Sequence, residues 1–360
     1  GISEKVSFKG IKERAKECLG FIADERGLSK EELADRIVPT CELDENGTRV
    51  FDFGPRQFTF ALGPDLKPAL KDETGKRLSD LPKPNTKDDA AKAAEAVAAW
   101  KLLKKLVADV ARTQAARLEQ AMVVGRRWTP EEFNQLIVEH PLMGLLAQRL
   151  IWAAYDGNGT LIQTFRIADD RTLADVQDEL SEIPDNAAQI GIIHPAYLPE
   201  GVRGKWGEVL SDYDLIPPFV QLGRPIYALT DAEKDAKSIT RFAGIKDIDP
   251  KTLLFGLDNQ GWTRGTPQDS GWFTEHYKHF PSANVYAVVS YHGAPVGYME
   301  GWEDQEVNEI FFVRESSDAT WGWVSSNSVK SLVPLKDVDP IITSEALYDI
   351  TRLVEKGRKS

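Results

Sequence analysis

His276 and His279 sit three residues apart in TEHYKHF, with Glu275 adjoining. On a helix the two imidazoles would share a face and could hold a metal ion, with further ligands drawn from elsewhere, such as Glu303, Asp304 or Glu306. Two histidines and a nearby acidic loop make a thin donor set. The plainer expectation is a polar surface turn with His279 over an aromatic neighbour, and no bound metal or cofactor. His194 is the second candidate. It ends the run QIGIIH and precedes Pro195. A histidine where a strand gives way to a loop can act as a general base, or it can anchor the loop by hydrogen bonding.

The densest mixture of chemical types is KWGEVLSDYDLIPPFVQLGRPIY, from Lys205 to Tyr227. Trp206, Val209 and Leu210 fit one face of a short helix, with Glu208 and Asp212 facing out. Pro217 and Pro218 then force extended backbone. Phe219, Leu222 and Ile226 are expected to be buried, with Gln221 and Arg224 among them. A buried amide or guanidinium must find partners, and Glu208, Asp212 and Asp214 are the nearest acids. One reading is a polar network that pins a proline-rich crossover to a sheet. The other is a cleft in which His194, Glu208 and Asp212 supply acid–base groups and Arg224 clamps an anion. Trp206, Tyr213 and Gln221 are the binding candidates of the same stretch.

Familiar signatures are missing. The sequence holds no GxxxxGK loop, no GxGxxG opening a helix, no GxSxG elbow and no CxxC. The common nucleotide-binding and serine-hydrolase readings go with them. Cys18 and Cys41 make no disulfide framework, which suits a reduced, cytoplasmic setting. GISEKVSFKG has no apolar core of a secretory signal. No apolar run approaches the roughly 20 residues that span a bilayer, so no membrane partner is expected. The 360 residues, 42% of them apolar and 28% charged, have globular composition.

The elements that must position these residues follow from periodicity. Residues 3–37 read as two helices, the second with a capping box at Ser29 and Glu32. VFDFG and RQFTFAL alternate like strands. LKPALKDETGKRL resembles a further hairpin, and LPKPN is a linker. From Thr86 to Val124 there is neither glycine nor proline. Ala96, Val97, Trp100, Leu103, Val107, Val110, Leu118 and Ala121 keep helical spacing there, for a helix of about 58 Å. Thr129, Pro130 and Glu132 open another helix, and Leu142–Leu150 a third. Beyond Trp152 the pattern turns to strands: IWAAY and LIQTFRI around the DGNG turn, QIGIIH, YAVVSYH and PVGYMEG around Gly293-Ala294, NEIFFV and TWGWV. A last helix is expected at Ser344–Glu355. The sum is an α+β fold, a long-helix layer packed on a mostly antiparallel sheet. The divisions expected are 1–84, 85–150 and 151–360.

Charge is segregated. Lys83–Arg127 holds ten bases and five acids, whereas the whole chain carries −12. The bland consequence is a basic helix docked on acids of its own chain. The alternative is a surface centred on Lys101, Lys104 and Lys105. The overall negative charge disfavours nucleic acid as the partner.

The succession RLEQAMVVGRRWTPEEF, HPLMGLLAQRLIWAAYDGNG, FRIADDRTLADV, IGIIHPAYL and WGEVLSDYDLIPPFVQLGRPIY resembles the C-terminal domain of the bacterial molybdate metabolism regulator (MolR-like) family, domain of unknown function 4132. The resemblance is strongest over about residues 115–230, thins upstream to DFGPRQFT, and reappears at SEALYDI. It brings no catalytic residues. It implies a link to regulation, and partners such as AAA+ ATPases or von Willebrand factor A proteins. Family members often carry a WGR module, but neither Trp206-Gly207-Glu208 nor Trp321-Gly322-Trp323 matches it. The expected function is a non-catalytic interaction or regulatory module of a larger cytosolic bacterial protein with a protein partner. The rivals are a hydrolase or transferase using His194 with Asp212 or Glu208 and Arg224, and nucleic-acid binding along the basic helix.

Overall fold

The computed structural model describes residues 9–63, 65–297, 300, 302–314 and 324–358. Helices and antiparallel sheets make an α+β protein, as the periodicity predicts. The chain forms two compact units. The first comprises residues up to Arg117, Trp128–Ile190 and Glu208–Phe219; the second comprises Leu118–Arg127, Gly191–Gly207 and the residues from Val220 onward.

The first unit begins with helices α1 (Lys9–Glu25) and α2 (Lys30–Arg36). The Ser29 hydroxyl accepts from the Glu32 amide while the Glu32 carboxylate accepts from the Ser29 amide, closing the capping box. A four-stranded antiparallel sheet follows: β1 (Val50–Asp52), β2 (Gln57–Leu62), β3 (Pro68–Asp72) and β4 (Arg77–Leu78). The long helix α3 runs Ala90–Val123, about 51 Å at 1.5 Å per residue. It starts later than the Thr86 expected, because Asp89 accepts from the Ala91 and Lys92 amides and so caps it. Ala93, Ala96, Trp100, Leu103, Val107, Ala111 and Ala115 are buried along one stripe of α3. The Trp100 ring meets Phe51 edge-on at 5.4 Å. Lys92 pairs with Asp52 at 2.9 Å, Lys104 with Asp80 at 2.8 Å and Arg117 with Asp35 at 2.6 Å. Part of the basic face therefore docks on acids of the same unit.

Strand β5 (Arg127–Trp128) and helix α4 (Pro130–Phe133) come next, α4 running on through a π-helical turn at Asn134–Val138. Thr129 and Glu132 form the expected capping box. Helix α5 (Pro141–Ala147) is capped by His140, whose Nδ1 accepts from the Leu142 and Met143 amides. Strands β6 (Ile151–Tyr155) and β7 (Leu161–Ile167) form the expected hairpin, followed by β8 (Leu173–Ala174), β9 (Leu180–Ser181) and β10 (Gln189–Ile192). The sheet order is β5-β10-β6-β7-β8-β9. Trp152, Phe133 and Phe165 are fully buried and pack ring to ring within 6 Å.

The second unit carries α7 (Asp231–Lys234), α8 (Pro250–Asn259) and a sheet of order β11-β12-β13-β14, formed by β11 (Thr263–Arg264), β12 (Trp272–Phe280), β13 (Val285–Pro295) and β14 (Val307–Arg314). The final helix α9 spans Pro340–Gly357. It begins four residues before the Ser344 expected, because Asp339 caps it and Pro340 takes its first position. Helix α6 is Glu200–Asp212. Gly293 and Ala294 do not make the expected hairpin turn. They lie inside β13, where Gly293 adopts φ +110° and a Cβ would sit 3.1 Å from the Phe273 carbonyl. Residues 320–323 of the expected strand TWGWV lie outside the described residues, as do Tyr298, Met299 and Gly301 of PVGYMEG, and Val324 is not in a strand.

Candidate functional site

Polar side chains of four separate stretches converge in the second unit. His194 follows β10 and caps the short turn Pro195–Tyr197: its Nδ1 accepts from the Ala196 amide at 3.1 Å. Because Nδ1 accepts, the ring proton sits on Nε2, and Nε2–H donates to Glu345 Oε1 at 2.9 Å. Arg224 forks onto the same carboxylate, Nε to Oε1 at 2.7 Å and Nη2 to Oε2 at 2.6 Å. Its Nη1 donates to Glu119 at 2.6 Å, and its guanidinium lies 4.5 Å from the centre of the Tyr348 ring. Glu345 is fully buried on α9. Burial drives its carboxyl up, but hydrogen bonds from His194 and Arg224 and the charge of Arg224 outweigh it and hold the group at about 2. Burial likewise opposes the Arg224 cation, and Glu345, then Glu119, more than restore it.

The sequence pointed to His194 and Arg224, and they meet on one carboxylate. It named the wrong acids: Arg224 is paired with Glu345 and Glu119, not with Glu208, Asp212 or Asp214. Glu208, Asp212 and Asp214 are exposed. Gln221 is buried and donates from Nε2 to the Ile193 carbonyl at 3.0 Å, and Tyr227 donates its amide to Ser344 Oγ at 2.9 Å. Trp206 is fully buried in α6. Leu222 is half-buried, while Ile226, expected to be buried, is 45% exposed. In the first unit Tyr213 is half-exposed, donates to Asp178, and has the Arg166 guanidinium 4.1 Å from its ring centre. On α3, Lys101 and Lys105 are exposed, whereas Lys104 is tied to Asp80.

Arg224 lines an open cleft of about 670 Å³ with Leu198, Glu200, Arg203, Leu222 and Ile226. Its edges are chemically conflicted. The two guanidinium groups there share the rim with Glu200, and Arg224 already carries two carboxylates. An anion would compete with both. His194 has both ring nitrogens engaged, one by a backbone amide and one by a buried carboxylate, so the constellation ties strand end, crossover and α9 together and leaves no free base.

His276 and His279 do not share a helix face. They lie on β12, three residues apart, and so point to opposite faces of the sheet. His279 stacks on Tyr286 at 4.3 Å. His276 is fully buried, its Nδ1 2.7 Å from the Tyr291 hydroxyl and its Nε2 3.2 Å from Asp258, which also receives a bidentate pair from Arg264. Burial lowers the His276 pKa against the pull of Asp258, and burial raises that of Tyr291. A neutral imidazole held between hydroxyl and carboxylate is the result. Glu306, offered as a metal ligand, accepts from the Gly244 amide at 2.6 Å instead. Among the described residues no group of His, Cys, Asp and Glu is arranged to hold a metal ion. Sequence reasoning missed Glu345, Glu119, Asp258 and Tyr291. Each is remote in sequence from its partner, and no local pattern marks it.

No helix among the described residues is long and apolar enough to cross a membrane. No solved structure matches the chain. It is 39% identical over 266 residues, 73% of its length, to the uncharacterized protein YehI of Escherichia coli strain K12, of which the match covers 22%. The chain thus spans about a fifth of that relative. The pattern of one family, the domain of unknown function DUF4132, matches residues 75–262, which include α3, His194, the crossover and Arg224; the chain belongs to that family.

Proposed function

We propose that the chain is a non-catalytic interaction module of a longer cytosolic bacterial protein, and that it presents the outward face of α3 to an acidic protein partner. One observation carries the reading. The exposed stripe Ala91, Ala94, Glu95, Ala98, Lys101, Leu102 and Lys105 holds a single acid. A solvent-facing helix stripe is ordinarily dominated by charged and polar residues. Here Leu102 is 76% exposed between Lys101 and Lys105. Small residues permit close approach of a second backbone, Leu102 supplies an apolar anchor, and the two lysines select acids on the partner. The engagement of both His194 nitrogens is consistent with a non-catalytic role. The regulatory link and the ATPase or von Willebrand factor A partners implied by the family resemblance belong to the same proposal.

The test is reconstitution with purified components. Partners captured on the tagged chain are identified, purified and bound again to the wild type and to a Lys101→Glu, Leu102→Asp, Lys105→Glu variant. The three side chains are exposed, so the variant keeps its fold, checked by circular dichroism. Loss of binding by the variant, with salt sensitivity in the wild type, supports the reading. A purified partner that binds both alike overturns it. Binding of nuclease-treated chain to short oligonucleotides at low salt would move the surface to nucleic acid.

A further inference from the structure

A second hollow lies in the second unit where the end of the crossover runs beside the start of α9. Its volume is about 280 Å³, near the small end for ligand pockets. The walls are apolar: Leu229, Leu335, Val338 and Tyr227. Two cations, Lys234 and Lys336, also line it. Lys234 pairs with the exposed Asp231 at 2.8 Å. Lys336 is exposed and has no ion pair among the described residues. Thr343 is a further polar lining residue, only 2% exposed, whose hydroxyl has no hydrogen-bond partner among the described residues. Burying a hydroxyl without a partner is costly, and threonine in a helix usually returns its hydroxyl to the preceding turn. The end of α9 is not free to bind an anion, since Asp339 caps it.

We propose that this pocket binds a small carboxylic acid with an apolar body, its carboxylate drawn by Lys336 and Lys234 and the unpartnered Thr343 hydroxyl completing its polar contacts. The apolar walls exclude a strongly hydrated ion such as free phosphate. The lysines exclude an amine. Pro340 and Tyr227 border the same hollow, and Tyr227 is fastened to α9 through Ser344, so a ligand there would also brace the crossover against α9.

The experiment titrates benzoate and hexanoate, with benzylamine and hexylamine as cationic counterparts, into the isotope-labelled full chain, following the amide signals of Leu229, Lys336 and Thr343. Saturable shifts with the acids alone are expected. Lys336→Glu should weaken benzoate binding by tenfold or more. Thr343→Val, which keeps the shape and removes the hydroxyl, should weaken it by about tenfold, the loss typical of one hydrogen bond to a charged group. The same variant should unfold at an equal or higher urea concentration, because the hydroxyl it removes has no partner among the described residues. Equal response to acids and amines, no saturation by either acid in the millimolar range, or unchanged benzoate affinity in both variants would overturn the proposal.

Discussion

Replacing Glu345 by Gln removes one charge from a fully buried site while keeping its volume. The carboxylate accepts from His194 Nε2 and from Arg224 Nε and Nη2, at 2.9, 2.7 and 2.6 Å. A primary amide can accept on one side only, and its NH2 would face a donor on the other. Arg224 would keep only Glu119. The carboxyl is held at about 2 against an ordinary value of 4.5. That corresponds to about 3 kcal/mol of stability at neutral pH, in line with the cost of breaking a buried pair. The sign follows from the depressed pKa: the stabilisation is complete above 4.5 and drains away as the pH falls toward 2. More than about 1 kcal/mol of it is gone at pH 3.5. Urea unfolding at neutral pH and at pH 3.5 should therefore show Glu345→Gln well below the wild type at the first and closer to it at the second. A cost under about 1 kcal/mol at neutral pH, or a gap that does not narrow in acid, would refute the reasoning. Pairing Arg224→Met with Glu345→Leu should cost less than the sum of the two single changes, because apolar replacement leaves no unbalanced charge between them.

Two further changes test the packing of α9. A Cβ at Gly256 on α8 would fall 2.2 Å from Leu353 Cδ2, so Gly256→Ala should destabilise by about 1–3 kcal/mol despite its better helix propensity, measured by urea unfolding. Lys278 Nζ and Trp262 Nε1 both donate to Asp349 at 2.9 Å in a buried cluster. Lys278→Met should strand that carboxylate at a cost of about 3–5 kcal/mol, seen as a lowered melting temperature, and recover part of the loss when Asp349→Leu is added.

Much of the framework was legible in local pattern. The capping boxes at Ser29 and Thr129 formed as read, since each needs only groups three residues apart. The DGNG turn set the β6–β7 hairpin for the same reason. The stripe of α3 followed from a helical period sustained over many residues. Local pattern failed where neighbours decide. TEHYKHF was weighed as a helix because of its histidine spacing, but pairing of β12 with both β11 and β13 makes it a strand and separates the two rings.

For the site, the chain alone determined that Gln221 and Arg224 needed partners: a proline-bounded apolar setting would not leave such groups unpaired. It determined also that His194 would stand where a strand ends. What the tertiary structure alone decided is which acids answer. Asp212 and Glu208 are close in sequence, yet they lie on α6 exposed to water, where a carboxylate is solvated and gains little from pairing. Glu345 comes from 121 residues away. It has no water to turn to, and a buried carboxylate is tolerable only where a cation and further donors reach it, which Arg224 and His194 do here.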